Sequence, residues 1–176
     1  MAMHEDADAQ SVMEWAGNVL MGKTATLDLL TSLMTEIREA ISYRRRPNAG
    51  TQAPSETLKL RTGTCRDFAW LMIEILRGLG FAARFVSGYI YSPGRTTHQG
   101  GGATHAWVQV YLPGSGWIEM DPTNGIFGNR DLIRVAVARH HQQARPLSGS
   151  FIGKRTSYRG IHVSVSVLDE DTVSSI

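Results

Sequence analysis

At Gly80 the spacing of apolar residues in this chain changes from helical to strand-like, and that change restricts the fold more than any other feature. Before it, Leu30, Leu33, Met34, Ile37 and Ile41 recur at helical spacing within residues 26–43, and residues 11–20 read as a further helix. Phe68, Met72, Ile75, Leu76 and Leu79 mark the buried stripe of a third helix, with Gly80 as its stop. After it, residues 82–91, 103–112, 116–121, 133–139 and 161–168 read as strands. Pro113-Gly114-Ser115-Gly116 supplies a hairpin turn between the second and third. Helices first and short-linked strands afterwards predict an α+β fold, with helices on one face of a largely antiparallel sheet.

A chain of 176 residues fits one domain, 1–176, able to bury about two-thirds of its unfolded surface without a metal or disulfide. Residues 1–10 precede the first expected helix and are open to disorder. The hydrophobic share of 42% and charged share of 19% are those of an ordinary soluble protein. No apolar run approaches the roughly 20 residues that span a bilayer, so no membrane partner is expected. The opening residues lack the basic-then-apolar order of a secretory signal, which favours a cytoplasmic setting. Net charge is +2, from 18 basic and 16 acidic residues, too small to imply a nucleic-acid partner. The one basic run, Arg44-Arg45-Arg46, follows a helical pattern and precedes Pro47, and reads as solvated cations near a helix C-terminus.

The chain has one cysteine, so it can form neither an intrachain disulfide nor a multi-cysteine zinc site. Cys65 falls where a helix should begin. Thr64 can cap that helix, and Asp67, three residues on, can complete a capping box. A thiolate rather than a thiol attacks carbonyls, and an ordinary cysteine, with a pKa of about 8.5, is mostly protonated at neutral pH. Helix N-terminal N–H groups and a nearby imidazolium both favour the ionised sulfur.

His105 offers the imidazole and Asp121 a carboxylate to orient it. His105 and Trp107 share one face of their strand, and Trp117, Glu119 and Asp121 share one face of the next, so a hairpin can set His105 beside Asp121. Asp67, Glu119 and His98 could each replace a member, but Asp67 has its capping role, Glu119 lies one pleat back and His98 sits in a glycine-rich loop. His140-His141 would point to opposite faces of a strand and could not share an ion, so no metal is expected. Taken singly, each of the three has a structural explanation: packing, a satisfied histidine, a turn. Their combination points to nucleophilic catalysis.

Four blocks carry a family resemblance: Gly63-Thr64-Cys65-Arg66-Asp67-Phe68-Ala69; Val86-Ser87-Gly88-Tyr89; His105-Ala106-Trp107-Val108-Gln109-Val110-Tyr111; and Gly116 through Gly125, with Trp117, Glu119 and Asp121-Pro122-Thr123-Asn124. Over roughly residues 25–168 the chain resembles the transglutaminase-like cysteine protease superfamily, in particular its bacterial members. The resemblance implies a papain-like fold, the nucleophile at Cys65, the histidine at His105 and the aspartate at Asp121. It implies a cysteine hydrolase acting on a peptide or protein substrate without a cofactor, with acyl transfer to an amine and a non-catalytic peptide-binding module as alternatives. The backbone N–H of Cys65 is the first oxyanion donor to expect. A second donor stays open between a side chain of residues 43–62 and a tryptophan indole. Trp107, Trp117 and Glu119 are candidates for the substrate cleft, Trp107 equally for the core, and the loop 92–102 for a gate. Asn124-Gly125 reads as a turn without assigned chemistry.

Overall fold

The computed structural model describes residues 2–46, 50–91, 104–128, 131–145, 149–150, 152–160 and 165. The helical half comes first: α1 (Ala2–Val19), α2 (Thr26–Ala40), α3 (Pro54–Leu60) and α4 (Cys65–Gly78). Two short strands, β1 (Ser42–Tyr43) and β2 (Thr62–Gly63), flank α3 and pair in parallel. Helix α1 begins at Ala2, well before the expected residue 11, and α2 ends at Ala40 because Ser42–Tyr43 turns into β1.

Helix α4 is the centre of the molecule. Its expected stripe is buried at Phe68, Met72, Ile75 and Leu76, but Ala69, Trp70, Leu71 and Ile73 are buried as well. A helix buried around most of its circumference is one packed on several sides, here by β3 and β4 and by α1, α2 and α3. Each fully buried large side chain contributes about 1.5–3 kcal/mol of hydrophobic stabilisation, so this helix anchors the core. Leu79, expected within the stripe, is 37% exposed because the helix has already ended. The Gly80 amide bonds to Arg77 O and that of Phe81 to Leu76 O, with Gly80 at a φ of 88°. That is a Schellman stop, and its left-handed position suits a glycine.

Strands β3 (Ala83–Ile90), β4 (His105–Leu112), β5 (Gly116–Asp121), β6 (Ile126–Phe127) and β7 (Leu132–Ala138) follow, and form one sheet in the order β6-β5-β4-β3-β7. Every pairing in it is antiparallel. The mixed α+β class and the hairpin at residues 113–116 are therefore present as expected. The expected strand at 161–168, apart from Val165, lies outside the described residues, as do the loop 92–102 with its His98.

Alternation sorts the strand residues into two layers. Phe85, Ala106, Val108, Val110 and Met120 join the helices in the main core, while Val86, Ile90, Trp107 and Leu132 form a second, smaller apolar cluster. The two strands beside β3 squeeze it at Gly88, where β7 carries a register shift. A Cβ there would stand 2.0 Å from the Ile133 carbonyl oxygen and 2.7 Å from the Trp107 ring, so only glycine fits. Among the described residues, no helix is long and apolar enough to cross a membrane.

Candidate active site

Cys65 is the first residue of α4, and Thr64 caps the helix in a reciprocal box with Asp67. The Asp67 carboxylate accepts from the Thr64 amide at 2.7 Å and the Thr64 hydroxyl at 2.9 Å. It also accepts from the Gln52 amide at 2.7 Å and pairs with Arg46 at 2.9 Å. Asp67 is fully buried, and its bonds tie Arg46 and Gln52 to the turn that presents the thiol. Arg46 is thus an ion-pair partner, where a solvated cation was expected. The Cys65 residue itself keeps 7% of its surface exposed, and its amide is among the helix N-terminal donors without an intrahelical acceptor.

His105 opens β4 and Asp121 closes β5, both buried. The β4–β5 register sets Val108 opposite Met120, which puts Trp107 opposite Asp121 and His105 one pleat away on the diagonal. His105 Nε2 meets Asp121 Oδ2 at 2.7 Å. Beyond the strand end the chain wraps the same carboxylate. The Thr123 amide donates to Oδ1 at 2.9 Å and Asn124 Nδ2 to Oδ2 at 2.8 Å. Asn124 Nδ2 is also 3.4 Å from His105 Nε2. Asn124, read from sequence as a turn residue, therefore touches both members of the pair. The Asx turn after Asp121 was the available signal.

The other imidazole nitrogen, His105 Nδ1, is buried and makes no aligned hydrogen bond. Cys65 nonetheless stands close enough to act on the ring. Burial alone would lower the His105 pKa, but the Asp121 charge and hydrogen bond, then the Cys65 hydrogen bond and charge, raise it to about 10. Cys65 is thus within electrostatic range of the ring without an aligned hydrogen bond at Nδ1, and catalytic contacts are usually loose before substrate binds. Burial works against the charged form of Asp121, yet His105, Asn124 and the Thr123 amide together hold its pKa below the ordinary value.

Tyr43 enters the site by long-range pairing. Its strand β1 lies on β2, with Tyr43 opposite Gly63, two residues before the thiol. Burial and the Cys65 charge push the phenol pKa up, opposed by Arg45.

The three cleft candidates stand elsewhere. Trp107 and Glu119 are buried against each other: the indole Nε1 donates to Glu119 Oε2, and Gln109 Nε2 donates to Oε1 at 2.7 Å. Arg134 Nε completes the shell of Glu119 at 3.2 Å. Neither residue faces an open cleft: Trp107 is buried in the second apolar cluster and Glu119 is buried against it. Trp107 stacks on His105, ring centroids 6.0 Å apart, and so supports the ring instead of the substrate. Trp117 is 37% exposed, but at the far end of β5, where Arg84 lies 3.8 Å over its ring. His140 and His141 do meet, with ring centroids at 4.2 Å, since β7 ends at Ala138 and the pair opens a 3-10 helix (His141–Ala144). Both pack on Trp70, and among the described residues no group of three metal-binding side chains forms.

A sequence profile described as the Transglutaminase-like superfamily matches residues 13–122. An uncharacterised protein of Mycobacterium tuberculosis is 33% identical over 165 residues, covering 90% of this chain and 52% of that protein. The chain thus spans about half the length of the mycobacterial relatives it matches. A protein-glutamine gamma-glutamyltransferase of Pseudomonas aeruginosa is 33% identical over 94 residues, covering 48% of this chain and 14% of that enzyme. Among solved structures, a candidate cysteine protease from Cytophaga hutchinsonii superposes with a TM-score of 0.64 at 23% identity, over 77% of this chain and 44% of that one.

Proposed function

Because the chain belongs to the transglutaminase-like superfamily, we propose that it is a cysteine hydrolase that cleaves amide or peptide bonds through a thioester acyl-enzyme. The observation that carries this reading is the buried His105, held by Asp121 through one nitrogen, with its other nitrogen unpaired and Cys65 within electrostatic range of the ring.

In the first step the Cys65 thiol passes its proton to His105 Nδ1, the sulfur attacks the substrate carbonyl, and a C–S bond forms as the carbonyl π bond opens. The carbonyl oxygen takes the negative charge, with the Cys65 amide as one donor and the Tyr43 hydroxyl as the second. His105 then gives its Nδ1 proton to the departing nitrogen, the C–N bond breaks and an amine leaves. Water attacks the thioester, passing a proton to His105 as the C–S bond breaks, and a carboxylic acid is released. Asp121 keeps its proton-accepting role on Nε2 throughout, fixing the ring and stabilising its charged form. No step requires a cofactor.

A second reading has support of its own. The stretch of 33% identity to a protein-glutamine gamma-glutamyltransferase favours an amine in place of water as the second nucleophile. The first step is common to both. Incubating the protein with glutamine-containing peptides, with and without a primary amine, and following products by mass spectrometry separates them. Hydrolysis yields cleaved or deamidated peptide, transfer yields the amine adduct, and Cys65→Ala abolishes either. Peptide bound but unchanged, alongside an inert thiol, would leave the fold as a binding module.

A further inference from the structure

Among the described residues, charge around the Cys65 turn is one-sided. On one flank, residues 43–46 run beside residues 63–67: Tyr43 pairs with Gly63, the Arg44 amide donates to Gly63 O at 2.8 Å, and Arg46 reaches Asp67. Arg44, Arg45 and Arg46 are thereby drawn alongside the thiol-bearing turn. On the other flank, Arg66 donates to the His141 carbonyl at 2.7 Å, and this brings the 3-10 helix and the following Arg145 up to the same helix end. Arg66 sits within range of both the Cys65 and Arg145 charges.

Among the described residues, the acidic groups beside the turn are already committed. Asp67 is buried and taken up by Arg46, Gln52 and Thr64; Asp121 is buried and taken up by His105, Thr123 and Asn124. Arg66 is spent on backbone carbonyls. Arg44, Arg45 and Arg145 are exposed, and among the described residues none has a carboxylate partner. Guanidinium groups are weakly hydrated and hold carboxylates through paired N–H bonds, so an uncompensated arginine rim beside a nucleophile is a selective surface.

We propose that this rim selects acidic acyl donors, peptides with Asp or Glu within a residue or two of the reacting carbonyl, and that Arg45 and Arg145 are the specificity-determining residues. The inference rests on the thiol chemistry proposed above. The test compares alkylation of Cys65 by anionic iodoacetate and neutral iodoacetamide, expressed as a rate ratio and referred to N-acetylcysteine. The wild-type ratio exceeds the reference. Arg45→Glu and Arg145→Glu each lower it by roughly fivefold at low salt, the effect of reversing one charge ~8 Å away in water. The corresponding Gln variants give about half the effect on a logarithmic scale, and about 0.5 M salt erases most of it. The iodoacetamide rate serves as the check that the variants fold and keep their thiol environment. In parallel, a Glu-flanked peptide is turned over faster than its Lys-flanked twin, and Arg45→Glu reverses that order. A thiol that reacts with iodoacetamide but whose ratio ignores both the Arg45→Glu and the Arg145→Glu reversals overturns this inference alone. A wild-type thiol inert to both reagents overturns the proposed function together with it.

Discussion

Asp67 shows how much one side chain does at this site. It closes the capping box of α4, anchors the Gln52 amide and neutralises Arg46. Asp67→Asn keeps the shape and loses the charge, leaving Arg46 without its ion-pair partner. The expected cost is about 2–3 kcal/mol in urea unfolding, below the full penalty for a broken buried pair because Arg46 is partly exposed. A loss under about 0.5 kcal/mol, the range of an ordinary surface change, would show that the pair adds nothing. Much of the site was legible at this scale. Cys65 was marked by its capping box, and His105 and Asp121 by strand alternation, signals that span three or four residues. Tyr43 carries no such mark, since its approach to the thiol depends on a two-residue pairing across 20 positions of sequence. Asn124 was visible only as a turn former, because its contact with His105 needs the strand end and the turn to be built together.

Elements reveal what the periodicity could and could not carry. The change of period at Gly80 marks a real boundary, the Schellman stop before β3. The burial of Trp70, Leu71 and Ile73 is not legible in a single apolar stripe, because α4 has neighbours on several sides. The assumption of one packed face misplaced Glu119 and left Trp107 open between cleft and core: alternation told which residues share a face, but the second face of the sheet is buried too. β6 and the β1–β2 pair have two residues each, too few to show any period. Gly88 yields the prediction proper to this level. Gly88→Ala forces its methyl into the Ile133 carbonyl and the Trp107 ring, separating β3 from β7 and shifting the indole that stacks on His105. Stability should fall by more than about 2 kcal/mol, and what folded protein remains should show slower Cys65 alkylation. Unchanged stability would mean that the sheet is looser at this point than described.

For the molecule as a whole, two histidines set the pH range of greatest stability. His105 has its pKa raised to about 10, so its contribution is fully present below about 6.5, the unfolded value, and is lost as pH rises through about 10. His141 has its pKa lowered to about 4, first by burial and then by His140, Arg66 and Arg145. Its contribution is present above about 6.5 and is lost as pH falls through about 4. Thermal unfolding should therefore peak near about pH 6.5, with His105→Gln flattening the alkaline limb and His141→Phe the acid limb. A peak at about pH 9 in the wild-type chain would contradict the assignment of His105. The strand order could not be read from the sequence. Hairpin neighbours β4 and β5 follow from their short turn, but nothing local says that β7 returns to the outer side of β3.

Activation of Cys65 by His105 is tested by iodoacetamide alkylation followed by mass spectrometry across a pH series. The wild-type chain, the His105→Ala variant and the urea-unfolded chain are compared. The account predicts rapid labelling of native Cys65 near about pH 6, slowed at least about tenfold without His105, with the unfolded thiol reacting only as pH approaches about 8.5. A native Cys65 that stays unlabelled until the chain unfolds, or that reacts identically without His105, would contradict it.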